Sequence, residues 1–423
     1  MAEPLDALIL GGGVDGTSAA LALAPTGARV QVVDAAPSAA AVAGARVGPR
    51  RTVASLGALA PEEDGPLPLE RAIVERRWIL LDARSAVSVD ERCADAPSDP
   101  SSWWTVRDAV VASWAEPKLR RAGVAVRWGG HATRLSRDED GVVTGAVIDG
   151  ADVPSHVTIV AEGAGHLLGP SDPAPERWER HAWSTYPMAA DQLQRRFAVG
   201  ASTGAAFDAI LGFVPPPTMA RGYLWTHRDA ITVGVVGRSR TPWDARSLLD
   251  AFRRHPSIAR YIGGATSLED GERAVPLPGN LRLGGPGYLV LGRDAGLVHG
   301  TGAVHDGLGP CVQSGIASAA AIRATRNASV GSPRLLREYR RALDRSGLIA
   351  ERARSLRASG RVEWNPRLHR TYPTALAAVL HRVMTETGAP KEALRAAILG
   401  GLRDAGVRRR DLAWDALVAG VSI

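Results

Sequence analysis

The feature that most constrains the fold is a glycine-rich turn at residues 11–16, GGGVDG. The apolar segment 5–10 before the turn predicts a short buried strand, and the segment 17–24 after it predicts a helix. A second strand is predicted at 28–33, and it ends on the acidic residue Asp34. A strand, a Gly-x-Gly-x-x-Gly turn, a helix and a second strand that ends on an acid form the pattern of a dinucleotide-binding βαβ unit.

Each glycine of this turn has a chemical role in such a unit. Gly11, Gly13 and Gly16 allow a tight turn and a close approach of the backbone to a pyrophosphate. The start of the helix supplies N–H groups and partial positive charge, and Asp34 would accept hydrogen bonds from ribose hydroxyls. The alternative is a turn without a ligand. Asp15 favours that alternative, because a carboxylate beside phosphates repels them.

A second turn of the same kind lies at 289–296, LVLGRDAG. A strand that ends in a Gly/Asp turn with Asp294 and Gly296, before a helix predicted at 308–323, is typical of the region where FAD enzymes hold the ribityl chain and pyrophosphate. An ordinary strand–helix connection is the alternative. The two turns are about 280 residues apart. The pair indicates a two-domain FAD fold, because NAD dehydrogenases need only the first turn.

Three further positions carry weaker signals. The buried strand predicted at 157–161 runs into Glu162-Gly163, which either packs near the dinucleotide or forms a simple turn. His299 and His305 are weak candidates for acid/base groups, and polar loop residues are the favoured alternative. The catalytic residues therefore stay unknown. No HExxH or similar spacing occurs, so no metal site is predicted.

The rest of the chain predicts a two-domain α/β (α+β) protein. The fold class is a Rossmann-like FAD-binding domain with a β-sheet substrate domain and a helical C-terminal tail. The predicted boundaries are 1–182 with 287–335 returning to the first domain, 183–286 for the sheet domain, and 336–423 for the tail. Within the first domain we expect a loop-like segment, a hairpin, a helix and a three-strand meander, at 35–66, 71–89, 108–122 and 131–149 respectively. If Trp103-Trp104 lies on a strand, the two side chains point to opposite faces.

Composition excludes several function classes. The 423 residues carry a net charge of +7, but the arginines are scattered and no basic tract is interleaved with aromatics, so nucleic acid is not expected. Cys93 and Cys311 are the only cysteines, which excludes a four-cysteine iron–sulfur cluster within the chain. Low cysteine use, no signal peptide and no apolar run near the length of a spanning helix favour a cytoplasmic protein.

The chain resembles the FixC-type flavoproteins, relatives of electron-transfer-flavoprotein:quinone oxidoreductase within the geranylgeranyl-reductase and aromatic-hydroxylase group of FAD enzymes. Besides the first turn, the segments that carry the resemblance follow one another in the family's order along most of the chain. They lie at 68–89, 105–126, 251–264, 287–319, 337–347 and 365–373.

The resemblance implies an FAD-dependent oxidoreductase that acts on a small molecule or exchanges electrons with a flavoprotein or ferredoxin-like partner. It adds further residues to the expected cofactor contacts, namely Arg46, Arg107, Ala132 and Gly163. It also raises the possibility of a membrane surface, as in a quinone reductase. No strongly apolar amphipathic segment supports that role, and one away from the membrane is favoured.

Three departures from the family's pattern fall at expected cofactor contacts. Asp15 replaces a small neutral residue, Arg293 stands where the family has the aspartate of its Gly-Asp turn, and Asp108 stands where the family has an arginine. They motivate an alternative in which the chain is a diverged homologue with lost or altered flavin binding. Such a homologue would act as a non-redox enzyme or a binding protein in a biosynthetic pathway.

Overall fold

The computed structural model describes most of the chain, with gaps. The described residues are 3–59, 69–73, 75–81, 86–92, 103–162, 167, 178–188, 205–209, 220–238, 244–276, 281–300, 305–306, 308–353, 367, 371–372, 375, 399–400, 402–403 and 406–420.

Strands and helices are numbered here in chain order. The strands are β1 Leu5–Leu10, β2 Val30–Asp34, β3 Ala45–Pro49, β4 Arg71–Ile73, β5 Glu75–Leu81, β6 Ala86–Arg92, β7 Trp103–Arg107, β8 Ala125–Trp128, β9 Ala132–Arg137, β10 Val143–Ile148, β11 Ala151–Val160, β12 Trp178–Pro187, β13 Ala205–Ala209, β14 Ala220–Thr226, β15 Ala230–Arg238, β16 Glu269–Pro276, β17 Gly284–Gly285, β18 Tyr288–Val290, β19 His299–Gly300 and β20 His305–Asp306. The helices are α1 Val14–Leu23, α2 Arg50–Gly57, α3 Asp108–Arg121, α4 Ala245–Arg254, α5 Pro256–Ile262, α6 Leu308–Ala324, α7 Pro333–Arg345 and α8 Arg409–Gly420.

The first sheet is a mostly parallel sheet that carries both predicted turns. Its order is β17-β18-β11-β1-β2-β8, with β18, β11, β1, β2 and β8 parallel to one another. The start of the long strand β11 also pairs with β10, and β10 with β9, as the predicted meander requires. Because β1 and β18 are both neighbours of β11, the turns that follow them open at the same edge of the sheet. The parallel sheet with helices confirms the predicted fold class.

The helices that follow the two turns pack directly on each other. A side chain at Gly315 of α6 would place its Cβ 2.7 Å from the Cβ of Ser18 and 2.8 Å from the backbone nitrogen of Ala19, both on α1. Nearly every residue of α1 is buried. Small residues on both helices thus allow the close approach that brings the two turns together.

The loop-like interpretation of residues 35–66 is wrong in its middle part. This segment contains β3 and α2, and β3 pairs antiparallel with β7 from Ala45↔Arg107 to Pro49↔Trp103. The strand is short and rich in small residues, so its conformation depends on β7 rather than on local preference. The outcome matters, since β3 carries Arg46.

The second sheet presents an aromatic face towards β3. Its order is β16-β12-β15-β14-β13-β5-β6, and the β5–β6 hairpin confirms the hairpin expected at 71–89. The face opposite the aromatic one packs against α4 and α5 through residues such as Leu224, Val233 and Phe252. Trp103 packs with the aromatic face and Trp104 with the core of the first sheet, as their adjacent places on a strand predict.

The division into domains remains a prediction. The second sheet takes in β5 and β6 as well as strands between 183 and 286, and β12 begins at Trp178. Of the predicted helical tail, the described residues include α7 and α8. Within the described part of the chain, no helix has the length and apolar character needed to cross a membrane.

Candidate cofactor cleft

The first glycine turn has the backbone geometry that the sequence predicts. Gly11 has a φ of +112°, and a Cβ there would lie 2.3 Å from the carbonyl oxygen of Ala161 on the neighbouring strand end. A Cβ at Gly16 would lie 1.9 Å from the carbonyl oxygen of Gly11. Only glycine fits either position, so the turn is as tight as a dinucleotide site requires.

Asp34 lies beside this turn, as predicted. Its Oδ2 accepts a hydrogen bond of 2.6 Å from the Gly12 backbone N–H, and its Oδ1 accepts one of 2.7 Å from Ala36. Each carboxylate oxygen can accept a second bond, which leaves acceptors for ribose hydroxyls. Trp128 borders the same place: a Cβ at Gly12 would lie 2.7 Å from its ring, and its Nε1 donates to Glu116 at 2.9 Å.

The second turn abuts the first through Asp15. Gly292 has a φ of +50°, and a Cβ there would lie only 2.0 Å from Asp15 Oδ1. The N–H of Gly292 donates to Ser314 Oγ at 3.0 Å, and Arg352 Nε donates to the Gly296 carbonyl oxygen at 2.6 Å. The Asp15 side chain therefore points from α1 towards the second turn. Asp294 is buried within that turn.

A buried ion-pair cluster lies in front of Gly13, and we call it the Arg46 cluster. It comprises Arg46, Asp108, Asp15 and Cys311, all of them buried. Arg46 donates to both oxygens of Asp108, at 2.6 Å from Nε and 2.7 Å from Nη2, and Nη2 lies 3.4 Å from Asp15 Oδ2. A Cβ at Gly13 would lie 3.2 Å from Asp108 Oδ2 and 3.7 Å from Arg46 Nη2. The ion pair thus borders the start of α1, where a phosphate would face the helix.

Electrostatics tie the members of this cluster together. Burial lowers the pKa of Arg46, but the nearby Asp108 and Asp15 carboxylates outweigh it and raise that pKa well above its usual value. Arg46 Nη1 also donates to Cys311 Sγ. Burial raises the pKa of the Cys311 thiol well above its usual value, so this cysteine stays protonated at neutral pH. The cluster consequently holds one cation and two carboxylates.

More carboxylates follow the same edge of the sheet. Burial, with the charges of Asp294 and Asp34, raises the pKa of Glu162 to about 8. Burial is the larger cause, and the two nearby carboxylates add to it, so Glu162 remains protonated and uncharged at neutral pH. Among the residues that the structure describes, no group of three or more His, Cys, Asp and Glu side chains is placed to hold a metal ion.

A narrow cleft separates β3 from the aromatic face of the second sheet. Five side chains of that face line it, and Arg46 and Arg293 border it from the first-sheet side. The five are His181, Trp183, Tyr223, Trp225 and Val236. Glycines make room for the rings, since a Cβ at Gly234 or Gly271 would lie 2.1 Å from the ring of Tyr223 or Trp183. The sequence analysis did not predict a site at these residues, although the spacing i, i+2 on β12 and β14 could have indicated one shared face.

Arg107, a predicted cofactor contact, lies in a different cluster, which we call the Glu70 cluster. Arg107 Nε donates to Glu70 Oε1 at 2.6 Å and Nη2 donates to Asp229 Oδ1 at 2.6 Å, while His227 Nδ1 lies 3.3 Å from Glu70 Oε2. Burial alone would raise the pKa of Glu70, but His227 and Arg107 lower it to about 2. The cluster joins the sheet β3-β7-β4 to the β14–β15 hairpin. Its arginine is engaged there instead of at the glycine turn.

The remaining predicted site residues are placed only through their backbones. Ala132 opens β9 and pairs with Ile148. His299 and His305 lie on the short antiparallel pair β19–β20, with Gly300 opposite His305, so the chain does bring the two histidines near each other. Gly163 lies outside the described residues. The roles of these residues remain predictions.

The fold and the two adjoining turns define the class: this is a scaffold of the FAD-type oxidoreductases. The resemblance inferred from the motifs is confirmed along nearly the whole chain. The chain is 27% identical over 421 residues to the probable electron transfer flavoprotein-quinone oxidoreductase YdiS of Escherichia coli K12, covering 96% of each chain. It is 29% identical over 369 residues to the FixC protein of Bradyrhizobium diazoefficiens, covering 82% of each chain. No protein-family model matches it.

Solved structures agree on the fold. A geranylgeranyl bacteriochlorophyll reductase-like protein of Thermoplasma acidophilum superposes with a TM-score of 0.63 at 16% identity, covering 95% of this chain and 99% of that one. PqsL of Pseudomonas aeruginosa, a probable FAD-dependent monooxygenase, superposes with a TM-score of 0.55 at 15% identity, covering 87% and 98%. The fold is therefore shared with a reductase-like protein and with a probable FAD-dependent monooxygenase.

Proposed function

We propose that the protein is an FAD-dependent oxidoreductase that passes electrons between a small molecule or a redox partner protein and the flavin. The observation that carries the proposal is the contact between the two turns, in which Asp15 of the first lies against Gly292 of the second. Two dinucleotide turns that meet in front of an aromatic sheet face give the arrangement that an FAD molecule would bridge. The full-length similarity to FixC and YdiS proteins supports electron exchange with a flavoprotein or ferredoxin-like partner.

The chain's own groups fit the adenosine half of FAD well. The backbone at Gly11 and Gly13 leaves room that a Cβ would fill, Asp34 offers carboxylate oxygens for ribose hydroxyls, and Trp128 presents an aromatic ring nearby. The shape also fits the pyrophosphate half, where Arg46 is the cation beside Gly13. The charge fits less well there, because Asp15 and Asp108 already neutralise Arg46.

The second sheet supplies the substrate side of the cleft. When bound, FAD would supply the two-electron chemistry, as a flavin does in any such scaffold. The aromatic face around Trp183 and Tyr223 would exclude water and bind a partly apolar substrate, and His181 adds an imidazole to that face. Arg293, which borders the cleft, would favour an acidic group on the substrate.

The test is a spectrum of the purified protein before and after incubation with FAD. We expect an oxidised-flavin absorbance that bleaches when dithionite is added anaerobically. Asp34→Ala should weaken FAD binding, because it removes the ribose acceptor, whereas Asp149→Ala, an exposed carboxylate paired with Arg127, should not. Failure of FAD to bind at any concentration would refute the proposal.

A flavin-free binding protein is the second candidate. It is favoured by the Arg46 cluster, in which the cation that faces the start of α1 is already held by two carboxylates. Such a protein would bind another ligand in the aromatic cleft and would show no flavin spectrum after reconstitution. A saturable FAD titration would eliminate this candidate.

A further inference from the structure

We propose that the Arg46 cluster is an internal competitor of the FAD pyrophosphate, so that this protein binds FAD weakly and exchangeably. The proposal rests on the proposed function, since it concerns how tightly the same cleft holds its cofactor. It assigns a role to Asp15 and Asp108, which set cofactor affinity through their charge.

Arg46 and Asp108 lie directly in front of the first glycine turn. Asp108 opens α3, where its backbone N–H donates to the Gly44 carbonyl oxygen at 2.8 Å, and its carboxylate faces back across the cleft to Gly13. Arg46 comes from β3 and approaches Asp108 with both Nε and Nη2. The bidentate pair therefore occupies the approach to the start of α1. A phosphate at a helix start needs this same place.

The positive charge of Arg46 is already paired with carboxylates. A guanidinium can make parallel hydrogen bonds to a carboxylate or to a phosphate, but the same edge of the guanidinium cannot make both pairs of bonds at once. Arg46 has already committed two nitrogens to Asp108, and a third contact reaches Asp15. A pyrophosphate that displaces these contacts leaves two buried carboxylates without their cation. One that does not displace them approaches two negative charges.

The charges around the Arg46 cluster do not offset its excess negative charge. Asp34 and Asp294 follow the ends of strands at the same edge of the sheet, and Glu162 between them is protonated at neutral pH. The other cation that borders the cleft, Arg293, lies in the second turn next to Asp294. A dianion therefore meets an acidic edge. The uncharged isoalloxazine and ribityl parts of the cofactor do not experience this repulsion.

The experiment uses two ligands and three isosteric variants. Dissociation constants for FAD and for riboflavin, which lacks phosphates, are measured by flavin fluorescence for the wild type, Asp15→Asn, Asp108→Asn and the double variant. Asparagine has nearly the same shape as aspartate and keeps one oxygen that can still accept from Arg46. Glu70→Gln is the matched control, because Glu70 is also a buried carboxylate paired with an arginine but lies in the other cluster.

We expect each single variant to bind FAD at least tenfold more tightly than the wild type, and the double variant more tightly still. Riboflavin affinity and the FAD affinity of Glu70→Gln should stay within twofold of the wild type. Tight FAD binding by the wild type that weakens in the variants would overturn the inference and leave the proposed function standing. Absence of FAD binding in the wild type and all variants would refute both.

Discussion

The Arg46 cluster and the Glu70 cluster both pair a buried arginine with carboxylates, but the two clusters differ in what they do. In the Glu70 cluster, the buried carboxylate of Glu70 contacts a guanidinium and an imidazole, and the second carboxylate, Asp229, is exposed. The buried charges of Glu70 and Arg107 therefore pair one to one and help to hold two sheets together. In the Arg46 cluster, one guanidinium serves two carboxylates, which leaves an excess of negative charge beside the first glycine turn. A cluster whose buried charges pair one to one stabilises the contact between two sheets. A cluster with excess negative charge beside a ligand cleft restricts which ligands bind there.

The largest expected effect on stability follows from removing Glu70, the central carboxylate of the Glu70 cluster. Glu70→Ala removes the buried carboxylate that Arg107 and His227 share and leaves Arg107 with only the exposed Asp229, at a cost of about 3–4 kcal/mol in the free energy of unfolding. Urea denaturation of the variant and the wild type at neutral pH measures it. A cost no greater than that of an exposed ion pair would show that the two clusters do not differ as described.

The corresponding change in the cleft should cost less. In Asp108→Ala, Arg46 keeps Asp15 at 3.4 Å, so we expect a loss of about 2–3 kcal/mol instead of the full cost of an unpaired buried charge. The variant Asp15→Ala/Asp108→Ala should then lose more than the sum of the two single variants, because neither carboxylate remains. Urea denaturation of all three variants gives the comparison. Simple additivity would mean that the two carboxylates do not share Arg46.

The acidic edge near the Arg46 cluster predicts a pH dependence of stability. The pKa of Glu162 rises from 4.5 to about 8 in the folded protein, so folding favours its protonated form. Its contribution is fully present below pH 4.5 and is lost as the pH rises towards 8. Glu162→Gln should therefore be more stable than the wild type at pH 9, by on the order of 2 kcal/mol, with a smaller difference at pH 5. Thermal denaturation at the two pH values tests this, and an equal difference at both would contradict it.

The smallest expected effect on stability follows from removing Asp229, the exposed carboxylate of the Glu70 cluster. The side chain of Asp229 is 67% exposed, whereas that of Glu70 is 3% exposed, although both bond the same guanidinium. Asp229→Ala should cost less than about 1 kcal/mol, and that cost should fall further in high salt. Denaturation in low and high salt provides the measurement. A salt-independent loss of several kcal/mol would contradict the assignment of Glu70 as the central group.

The comparison also shows what the sequence could predict. The turns, the meander and the β5–β6 hairpin follow from local patterns of glycine and alternating apolar residues, and all of them form as expected. Both Arg46 and Arg107 were expected at the cofactor, but their carboxylates lie 62 residues away in one case and 37 and 122 in the other. The pairing of β3 with β7 brings Arg46 to Asp108, and the pairing of β4 with β7 brings Glu70 to Arg107. The β3–β7 pairing has no local signature in a segment rich in small residues.

The departures at Asp15 and Asp108 were visible in the sequence, but their connection was not. Read singly, each adds a negative charge to a phosphate site. The structure shows that both meet one guanidinium, together with a cysteine that no motif singled out. The aromatic face was missed for a similar reason, since its members come from different strands.

The pairing of β1 with β11, and of β11 with β18, brings α1 against α6, which is synthesised much later. This order has a consequence for the protein during its synthesis. The first helix is almost wholly buried, but its partners on α6 lie about 300 residues further along the chain. At translation rates of about 5–20 residues per second, the nascent N-terminal segment waits roughly 15–60 s for them. During that time, the apolar faces of β1 and α1 lack their final cover. Newly made chains are thus most vulnerable to aggregation before the ribosome has delivered α6.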